Sequence, residues 1–293
     1  MSAQPDSAFA EHRALLFKIA YNLTGSVSDA EDVVQECYLR WRAVETPVEH
    51  PRSYLAQIAT RQALNALRKR NRQREDYPGV WLPEPLPTAA QPEQPAARSP
   101  ESALLLADQV STAMLVMLQS LNAEQRAAFV LREVFDFDYP EIARALGKSP
   151  EAVRQLVHRA RTRVRSGRRH TLVDDDTHRA TVEGLFQATM GGDIQTLMDV
   201  LAPDVVVLSD GGGHVSTARK PIVGADPVAR FLHGLARKHA GSGAGTALEI
   251  NGRMAMLFYD AQGLPTLFQF EVADARVTQI YILRNPRKLA HLT

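Results

Sequence analysis

Arginines make up the largest group of residues in this chain that could do chemistry. Seven arginines and no acidic residue lie between Arg154 and Arg169. The apolar residues of the same segment recur at helical spacing, so the polar residues must cover the rest of a helix surface. Such a helix suits the major groove of DNA, where arginine and glutamine bind base edges and further arginines bind phosphates. The base-edge candidates are Arg154, Gln155, His158 and Arg159, and the phosphate candidates are Arg161, Arg163 and Arg165.

The residues before this segment predict the elements that position it. Ile142, Ala145 and Leu146 stand at i, i+3 and i+4, which predicts a short first helix with one apolar face. Gly147 can adopt the left-handed conformation that ends a helix, and Ser149 can cap the next helix. Two helices joined by a glycine turn are typical of a helix-turn-helix DNA reader. A solvated basic helix is the alternative, and the capped turn and supporting first helix count against it.

A second basic run ends another predicted helix, over residues 52–73. Six basic residues and no acidic residue lie between Arg61 and Arg74. Arginine and lysine bind phosphates and asparagine can bind a base edge, so this helix could hold a separating DNA strand. A frayed, charged helix end is the alternative interpretation. The candidates are Arg61, Asn65, Arg68, Lys69 and Arg70.

An acidic face is predicted on the helix over residues 29–44, which we expect Ser28 to cap. The apolar residues of this helix predict a buried stripe, and the polar residues opposite could bind a basic protein surface. Plain solvation, with acids favourably placed at the positive end of the helix, is the alternative. The candidates are Asp29, Glu31, Asp32, Gln35 and Glu36.

The totals restrict the class of protein. Net charge is only +1, but residues 171–293 carry 11 Lys and Arg against 13 Asp and Glu, which leaves 23 against 20 for residues 1–170. Cys37 is the only cysteine, which excludes an internal disulfide and a cysteine-only metal site, and we expect no cofactor. The sequence has neither a signal peptide nor an apolar run of membrane-spanning length. We therefore expect a cytoplasmic protein with no membrane and no disulfide partner.

Composition changes twice along the chain. Residues 75–100 contain seven prolines, which favour an extended linker, although Trp81 and Leu82 within it are costly to leave exposed. After residue 170 the pattern changes from helices to strands, with a hairpin signal at Asn251-Gly252. These patterns predict a multidomain chain that ends in an α+β domain, with helices on one face of a curved antiparallel sheet. The predicted boundaries are 1–75, a linker over 76–102, 103–170 and 171–293.

Three stretches, in order, resemble the extracytoplasmic-function (ECF) sigma factors of bacterial RNA polymerase. They are DAEDVVQECYLRWR (29–42), SYLAQIATRQALNALRKRNR (53–72) and LNAEQRAAFVLREVFDFDYPEIARALGKSPEAVRQLVHRARTRVR (121–165). The resemblance implies two all-α domains: region 2, which binds polymerase and the −10 element, and region 4, which binds the −35 element. It also implies that the partners are promoter DNA and the β and β′ subunits of core RNA polymerase. The position that is usually acidic before the basic pair is Asn65 here.

Three further motifs resemble the ECF subgroup with a fused SnoaL-like (NTF2-like) C-terminal domain. They are WLPEPLP in the linker, DGGGH at 210–214 and NPRKL at 285–289. Because Trp81 and Leu82 stand between prolines and are costly to expose, our hypothesis is that this domain docks against the linker and regulates the sigma domains in cis. We expect a contact that involves Trp81, Leu82, Pro83, Asp210, His214, Asn285, Pro286 and Lys288.

Alternatives of other classes remain for the C-terminal domain. Asp210 and His214 could form an acid/base pair of an enzyme, although a carboxylate before three glycines is also a common turn former. The pocket of that enzyme would be lined by Phe258, Phe268, Phe270 and Tyr281, which also alternate along strands as core residues do. A non-catalytic pocket that senses a small molecule is a further possibility. For the whole chain, a plain transcriptional repressor is a third interpretation. The two separate basic helices and the acidic face count against it. We expect a chain that is not an enzyme.

Overall fold

The computed structural model describes residues 3–74, 77–88, 111–167, 173–238 and 245–292, which form two compact units. The N-terminal unit comprises Met1–Glu75 and Gln91–Arg168, and the C-terminal unit comprises Asp76–Ala90 and Arg169–Thr293. The first part of the predicted linker therefore packs with the C-terminal residues. The rest of that linker, and the start of the domain predicted over residues 103–170, lie outside the described residues.

Three helices form the first part of the N-terminal unit: α1 (Ala3–Thr24), α2 (Val27–Arg42) and α3 (Pro51–Arg74). The predicted apolar stripe of α2 is buried at Val33, Cys37 and Trp41. Ser26, and not Ser28, caps α2, because the Ser26 hydroxyl accepts a hydrogen bond from the Asp29 amide. Ser28 lies inside the first turn of the helix and is exposed.

The second part of this unit contains the predicted helix-turn-helix. Its elements are α4 (Thr112–Leu118), α5 (Ala123–Phe129), a π-helical turn (Val130–Val134), α6 (Tyr139–Leu146) and α7 (Pro150–Gly167). Gly147 ends α6 with a φ of 64°, a left-handed conformation that suits glycine because it lacks a Cβ. The Ser149 hydroxyl accepts from the Ala152 amide at 3.2 Å and so caps α7. Both predictions for this turn are confirmed.

The C-terminal unit is an α+β domain around a six-stranded sheet. Its elements are α8 (Asp175–Gly191), α9 (Ile194–Val200), β1 (Leu201–Asp210), β2 (Ile222–Val223), α10 (Ala225–Lys238), β3 (Thr246–Ile250), β4 (Arg253–Tyr259), β5 (Pro265–Ala273), β6 (Arg276–Leu283) and α11 (Pro286–Leu289). The strand order is β2-β1-β6-β5-β4-β3. The sheet is mixed, because β1 runs parallel to β6 while all other neighbours are antiparallel.

One hairpin turn of the sheet follows the sequence pattern and another does not. Asn251 and Gly252, with φ of 52° and 76°, form the predicted two-residue turn between β3 and β4. The turn between β5 and β6 uses Asp274 and Ala275, both at positive φ, which gives no glycine signal in the sequence. Pro203 lies within β1, where the register with β6 shifts between Leu201 and Val206.

One face of the sheet packs on the helices and forms the main core. Phe258 and Phe268 on the sheet meet edge to face at 5.6 Å between ring centroids, and Phe186 of α8 lies 5.6 Å from both Phe258 and Phe270. Tyr281 lies on the opposite face, because it alternates with Ile280 and Ile282 of the core. The four residues expected to line one pocket are therefore divided between the two faces of the sheet.

The opposite face is buried beneath the linker. The amide of linker residue Leu82 donates a hydrogen bond to the Asp210 carboxylate at the end of β1. The amide of Leu86 donates to the side-chain oxygen of Asn251 in the turn after β3. These two strands stand four positions apart in the sheet, so residues 77–88 cross its face. Buried residues of this face are Leu257, Leu267, Gln269, Tyr281 and Leu283.

Candidate nucleic-acid interface and linker contact

The four predicted base-edge residues lie together on the exposed side of α7. Arg154, Gln155, His158 and Arg159 are exposed and form one continuous polar surface. Val153, Leu156, Val157 and Ala160 on the other side of α7 are buried, which fixes the rotation of the helix about its axis.

The three predicted phosphate residues of α7 differ in surroundings. Arg163 and Arg165 are exposed. Arg161 is half-buried and donates to the Glu133 carboxylate at 2.7 Å, an interaction that raises the pKa of its guanidinium. Arg161 therefore ties α7 to the π-helical turn in this structure.

On α3, the predicted DNA residues divide into two sets. Asn65, Arg68 and Lys69 are exposed, and Arg68 approaches the Asn65 side-chain oxygen at 3.4 Å. Arg61 instead donates to the carbonyl oxygens of Arg144 at 2.8 Å and Ala145 at 3.2 Å. These carbonyls belong to the last turn of α6, where a cation is favourable.

Arg61 is part of a longer contact between α3 and the helix-turn-helix. Gln57 donates to the Arg144 carbonyl at 2.9 Å, and Ser53 donates to the Glu141 carboxylate. Burial acts to raise the pKa of Glu141, but the hydrogen bonds from Ser53 and the Asp138 amide outweigh it and hold this pKa below its usual value. The ionised carboxylate thus joins the two parts of the N-terminal unit. Sequence periodicity could not reveal this contact, because it depends on tertiary packing.

The predicted acidic face of α2 is largely exposed. Asp32 and Gln35 are exposed, Glu31 pairs with Arg13 at 2.7 Å and Glu36 pairs with Arg40 at 2.6 Å. Exposed pairs of this kind are weak, so a protein partner can displace them at little cost.

Asp29 and Arg70, which were predicted to bind different partners, form an ion pair with each other. The Arg70 side chain is 13% exposed and that of Asp29 is 29% exposed. Arg70 also donates to the Thr24 carbonyl at the end of α1.

In the C-terminal unit, the linker is held by a buried ion pair. Lys288 Nζ lies 2.7 Å from Asp210 Oδ2, with the two side chains 7% and 0% exposed. The same ammonium donates to the Leu82 carbonyl at 2.5 Å and lies 3.8 Å from the centre of the Trp81 ring. The lysine of the terminal motif thus contacts both linker residues that were costly to expose.

The Asp210 carboxylate is saturated with donors. Besides Lys288 it accepts from the Tyr77 hydroxyl at 2.5 Å, the Leu82 amide at 2.8 Å and the Gly212 amide at 3.0 Å. Asn285 donates to the same Tyr77 hydroxyl at 3.0 Å. Such hydrogen bonding is what a buried carboxylate requires.

Several residues of this contact were missed from the sequence. Tyr77 precedes the motif, and Asn251 pairs with Leu86 through its amide and its side-chain oxygen. His291 Nε2–H donates to the Pro85 carbonyl at 2.6 Å. The hairpin signal at Asn251 was visible, but its side chain could not be assigned to the linker without the fold.

The remaining predicted contact residues are Pro83, Pro286 and His214. Pro83 is buried, and Pro286 begins α11. His214 is exposed in the turn after β1, while the Asp210 carboxylate is wholly buried and faces the linker. The two side chains are therefore not arranged as the acid/base pair of an enzyme.

Comparison with known proteins bears on the whole chain. Residues 8–73 match the model of Sigma-70 region 2, and residues 111–164 match that of Sigma-70, region 4. The ECF RNA polymerase sigma factor SigJ of Mycobacterium tuberculosis is 35% identical over 292 residues, which cover 96% of this chain and 92% of SigJ. This chain belongs to the ECF sigma factor family. The probable ECF sigma factor SigI of that organism is 30% identical, covering 97% of this chain and 94% of SigI.

The structure agrees with this assignment. The crystal structure of SigJ superimposes with a TM-score of 0.77 at 33% identity, covering 97% of this chain and 98% of that one. The sigma factor therefore has two helical sigma regions and a SnoaL-like C-terminal domain, as predicted. Among the described residues, no helix is long and apolar enough to cross a membrane.

Both basic surfaces of this sigma factor lie in the matched regions. Region 2 contains α2 and α3, and region 4 contains α6 and α7. Sigma factors recognise promoters and initiate transcription, which is the function that the sequence predicted.

Proposed function

We propose that this sigma factor reads the −35 element with α7 and the −10 element with α3, while α2 binds the β and β′ subunits of polymerase. The observation that carries this assignment is the exposed polar side of α7. Arg154, Gln155, His158 and Arg159 point to one side, and buried residues hold the opposite side. When such a helix enters the major groove of DNA, arginine can form bidentate bonds to guanine and glutamine to adenine.

On α3, the residues available for DNA are Asn65, Arg68 and Lys69. Arg61 can join them only after it leaves the carbonyl groups of α6. Promoter DNA and the end of α6 therefore compete for the same guanidinium. This competition supports a function in which the helix-turn-helix separates from α3 when the promoter is bound.

We further propose that the SnoaL-like domain modulates transcription in cis by holding the linker. Residues 77–88 lie across the sheet, and they belong to the segment that connects region 2 to region 4. The length of free chain between two binding modules sets their effective concentration for each other. Docking of the linker therefore changes how the two regions reach their promoter elements together.

A regulatory role for this domain is favoured over catalysis. The Asp210 carboxylate is occupied by four donors and is shut off from solvent by the linker. This carboxylate binds backbone amides, a tyrosine hydroxyl and a lysine ammonium, and so holds the linker in place. Because the proposed partners are polymerase and promoter DNA, we assign the sigma factor to the cytoplasm.

In vitro transcription with core polymerase tests the proposal. We would compare the full chain with chains that end at Arg284 and near His170, and with Lys288→Met. The matched control is Lys220→Met, because Lys220 is exposed in the same unit. We expect promoter-specific transcripts that need this protein, with yields altered by Lys288→Met and by both truncations but not by Lys220→Met.

One result would contradict the assignment of the DNA and polymerase surfaces, and a different result would contradict regulation by the linker contact. The absence of any transcript, together with no binding to core polymerase, would reject the assignment of the DNA and polymerase surfaces. Equal transcription from the full chain, both truncations and Lys288→Met would reject regulation by the linker contact alone.

A further inference from the structure

Arg70 belongs to the basic run of α3, yet it points away from Arg61 and Arg68 of that run. An α-helix turns by 100° per residue, so Arg70 lies about half a turn from the stripe of Arg61 and Arg68. It instead continues a buried stripe, because it stands three residues after Leu67 and seven after Ala63. The rotation of α3 that buries these residues directs Arg70 into the protein.

The guanidinium of Arg70 joins three elements. One terminal nitrogen donates to the carbonyl of Thr24, the last residue of α1, and the other pairs with the carboxylate of Asp29 in the first turn of α2. The two acceptors lie on either side of the turn at Gly25, which has a φ of 69°. A planar guanidinium can serve two acceptors at once, whereas an ammonium is a single point charge.

We propose that Arg70 is a positioning residue that fixes the DNA-reading end of α3 relative to the polymerase-binding helix α2. This inference rests on the proposed roles of α2 and α3. Asp32 and Gln35 lie on α2 one and two turns after Asp29, and Arg68 and Lys69 adjoin Arg70 on α3. The ion pair therefore sets the register between the surface that binds polymerase and the surface that binds the −10 strand. Arg70 acts through that register and not by gripping a phosphate.

The salt dependence of promoter binding distinguishes the two roles. Each phosphate contact contributes roughly 0.9 to the slope of log affinity against log salt concentration on duplex DNA and about 0.7 on single strands. We would measure this slope for the holoenzyme with Arg70→Lys, Arg70→Gln, and the matched controls Arg68→Lys and Arg68→Gln. Permanganate reactivity of the melted −10 bases would report the open complex, which a merely structural role at a fully folded temperature would not move.

For Arg68, we expect the glutamine variant to reduce the slope by about one contact and the lysine variant to retain it. For Arg70, we expect both variants to lose roughly tenfold in open-complex formation with an unchanged slope, because lysine cannot replace the fork. Thermal unfolding of each variant sets a temperature at which all of them are folded. An Arg70→Lys variant that behaves as wild type, with a reduced slope for Arg70→Gln, would overturn the proposal.

A second variant replaces the α2 partner of the ion pair and leaves the sequence of α3 unchanged. Asp29→Asn should lower open-complex formation to a similar degree, and the double variant with Arg70→Lys should be no worse than the poorer single variant. Losses that multiply would show that the two residues act independently and would also overturn the proposal. If Arg68→Gln and Lys69→Gln both leave the slope unchanged, the −10 assignment of α3 fails, while the coupling of Asp29 with Arg70 is still decided by polymerase affinity.

Discussion

Breaking the buried ion pair between Asp210 and Lys288 should release the linker from the SnoaL-like sheet. Removal of one partner from a buried pair costs about 3–5 kcal/mol, because the other charge remains buried. Lys288→Met leaves the carboxylate with three donors, so the lower end of this range applies. Asp210→Asn removes the carboxylate charge that balances the buried ammonium, which then faces the Leu82 carbonyl and the Tyr77 and Trp81 rings, so the upper end applies.

These energies correspond to large changes in the docked population. A cost of about 3 kcal/mol lowers the ratio of docked to released linker by roughly 100-fold. The double variant Asp210→Asn/Lys288→Met should lose less docking free energy than the sum of the two single variants. Each substitution removes the charge that the other one would leave buried and unpaired.

The assay uses the fluorescence of Trp81, whose ring lies against Lys288. The chain has two tryptophans, so a Trp41→Phe background isolates this signal. Urea titration of the full chain should show a lower transition midpoint for Lys288→Met and a still lower one for Asp210→Asn. The Trp81 emission of the released linker should shift to the red before the sheet unfolds.

An unchanged midpoint and unchanged Trp81 emission in both single variants would show that the ion pair does not hold the linker. Strict additivity in the double variant would also contradict this role of the ion pair. The exposed Lys220→Met variant is the control for a change of net charge.

Three further predictions concern burial and backbone conformation. Burial lowers the pKa of His178, so the folded state binds fewer protons than the unfolded chain, and the C-terminal unit should lose thermal stability as pH falls below 6.5. Burial raises the pKa of Cys37 to about 12, so its thiol should resist an aromatic disulfide reagent at pH 8 until urea unfolds the chain. A Cβ at Gly212 would lie 2.3 Å from Asn285 Nδ2 at a φ of +61°, so Gly212→Ala should destabilise the linker contact by more than about 1 kcal/mol in urea titration, whereas Gly184→Ala should stabilise its helix by roughly 0.5–1 kcal/mol.

Each of these predictions has a control. His178→Gln keeps a donor for the Phe270 carbonyl and should flatten the loss of stability between pH 7.5 and pH 5.5; an equal loss in both proteins would contradict the assignment. Rapid labelling of Cys37 in the native protein would contradict its burial. Equal stability of Gly212→Ala and Gly184→Ala would contradict the close approach of Asn285.

Local rules predicted the helix-turn-helix well. The spacing of Ile142, Ala145 and Leu146, the left-handed Gly147 and the cap at Ser149 all depend on interactions within a few residues. The choice of Ser26 over Ser28 as the cap of α2 was missed. Two nearby serines offer the same chemistry, and Ser26 is the cap because the helix begins at Val27.

Long-range pairing was much less accessible. Paired residues of the parallel neighbours β1 and β6, such as Asp210 and Leu283, lie more than 70 positions apart in the chain, so no local pattern could indicate the relative direction of the two strands. The aromatic residues expected to line a pocket alternate along strands, and only the sheet assigns Tyr281 to the face opposite Phe268 and Phe270. The sequence cannot distinguish an arginine that is exposed for DNA from one that is held by the protein itself. Only the tertiary contacts show that Arg61, Arg70 and Arg161 are held in this way.

The sequence by itself determined that this chain is a sigma factor with two basic readers, an acidic helix and a fused α+β domain. These features depend on residue type, helical period and the order of motifs, which are properties of the chain in one dimension. The tertiary structure alone decided which charges meet: Asp29 with Arg70, Arg61 with the end of α6, and Asp210 with Lys288 beneath the linker. The physical reason is that a charge is satisfied by whichever opposite group the folded core brings within a few ångströms, and the core is set by apolar residues elsewhere in the chain.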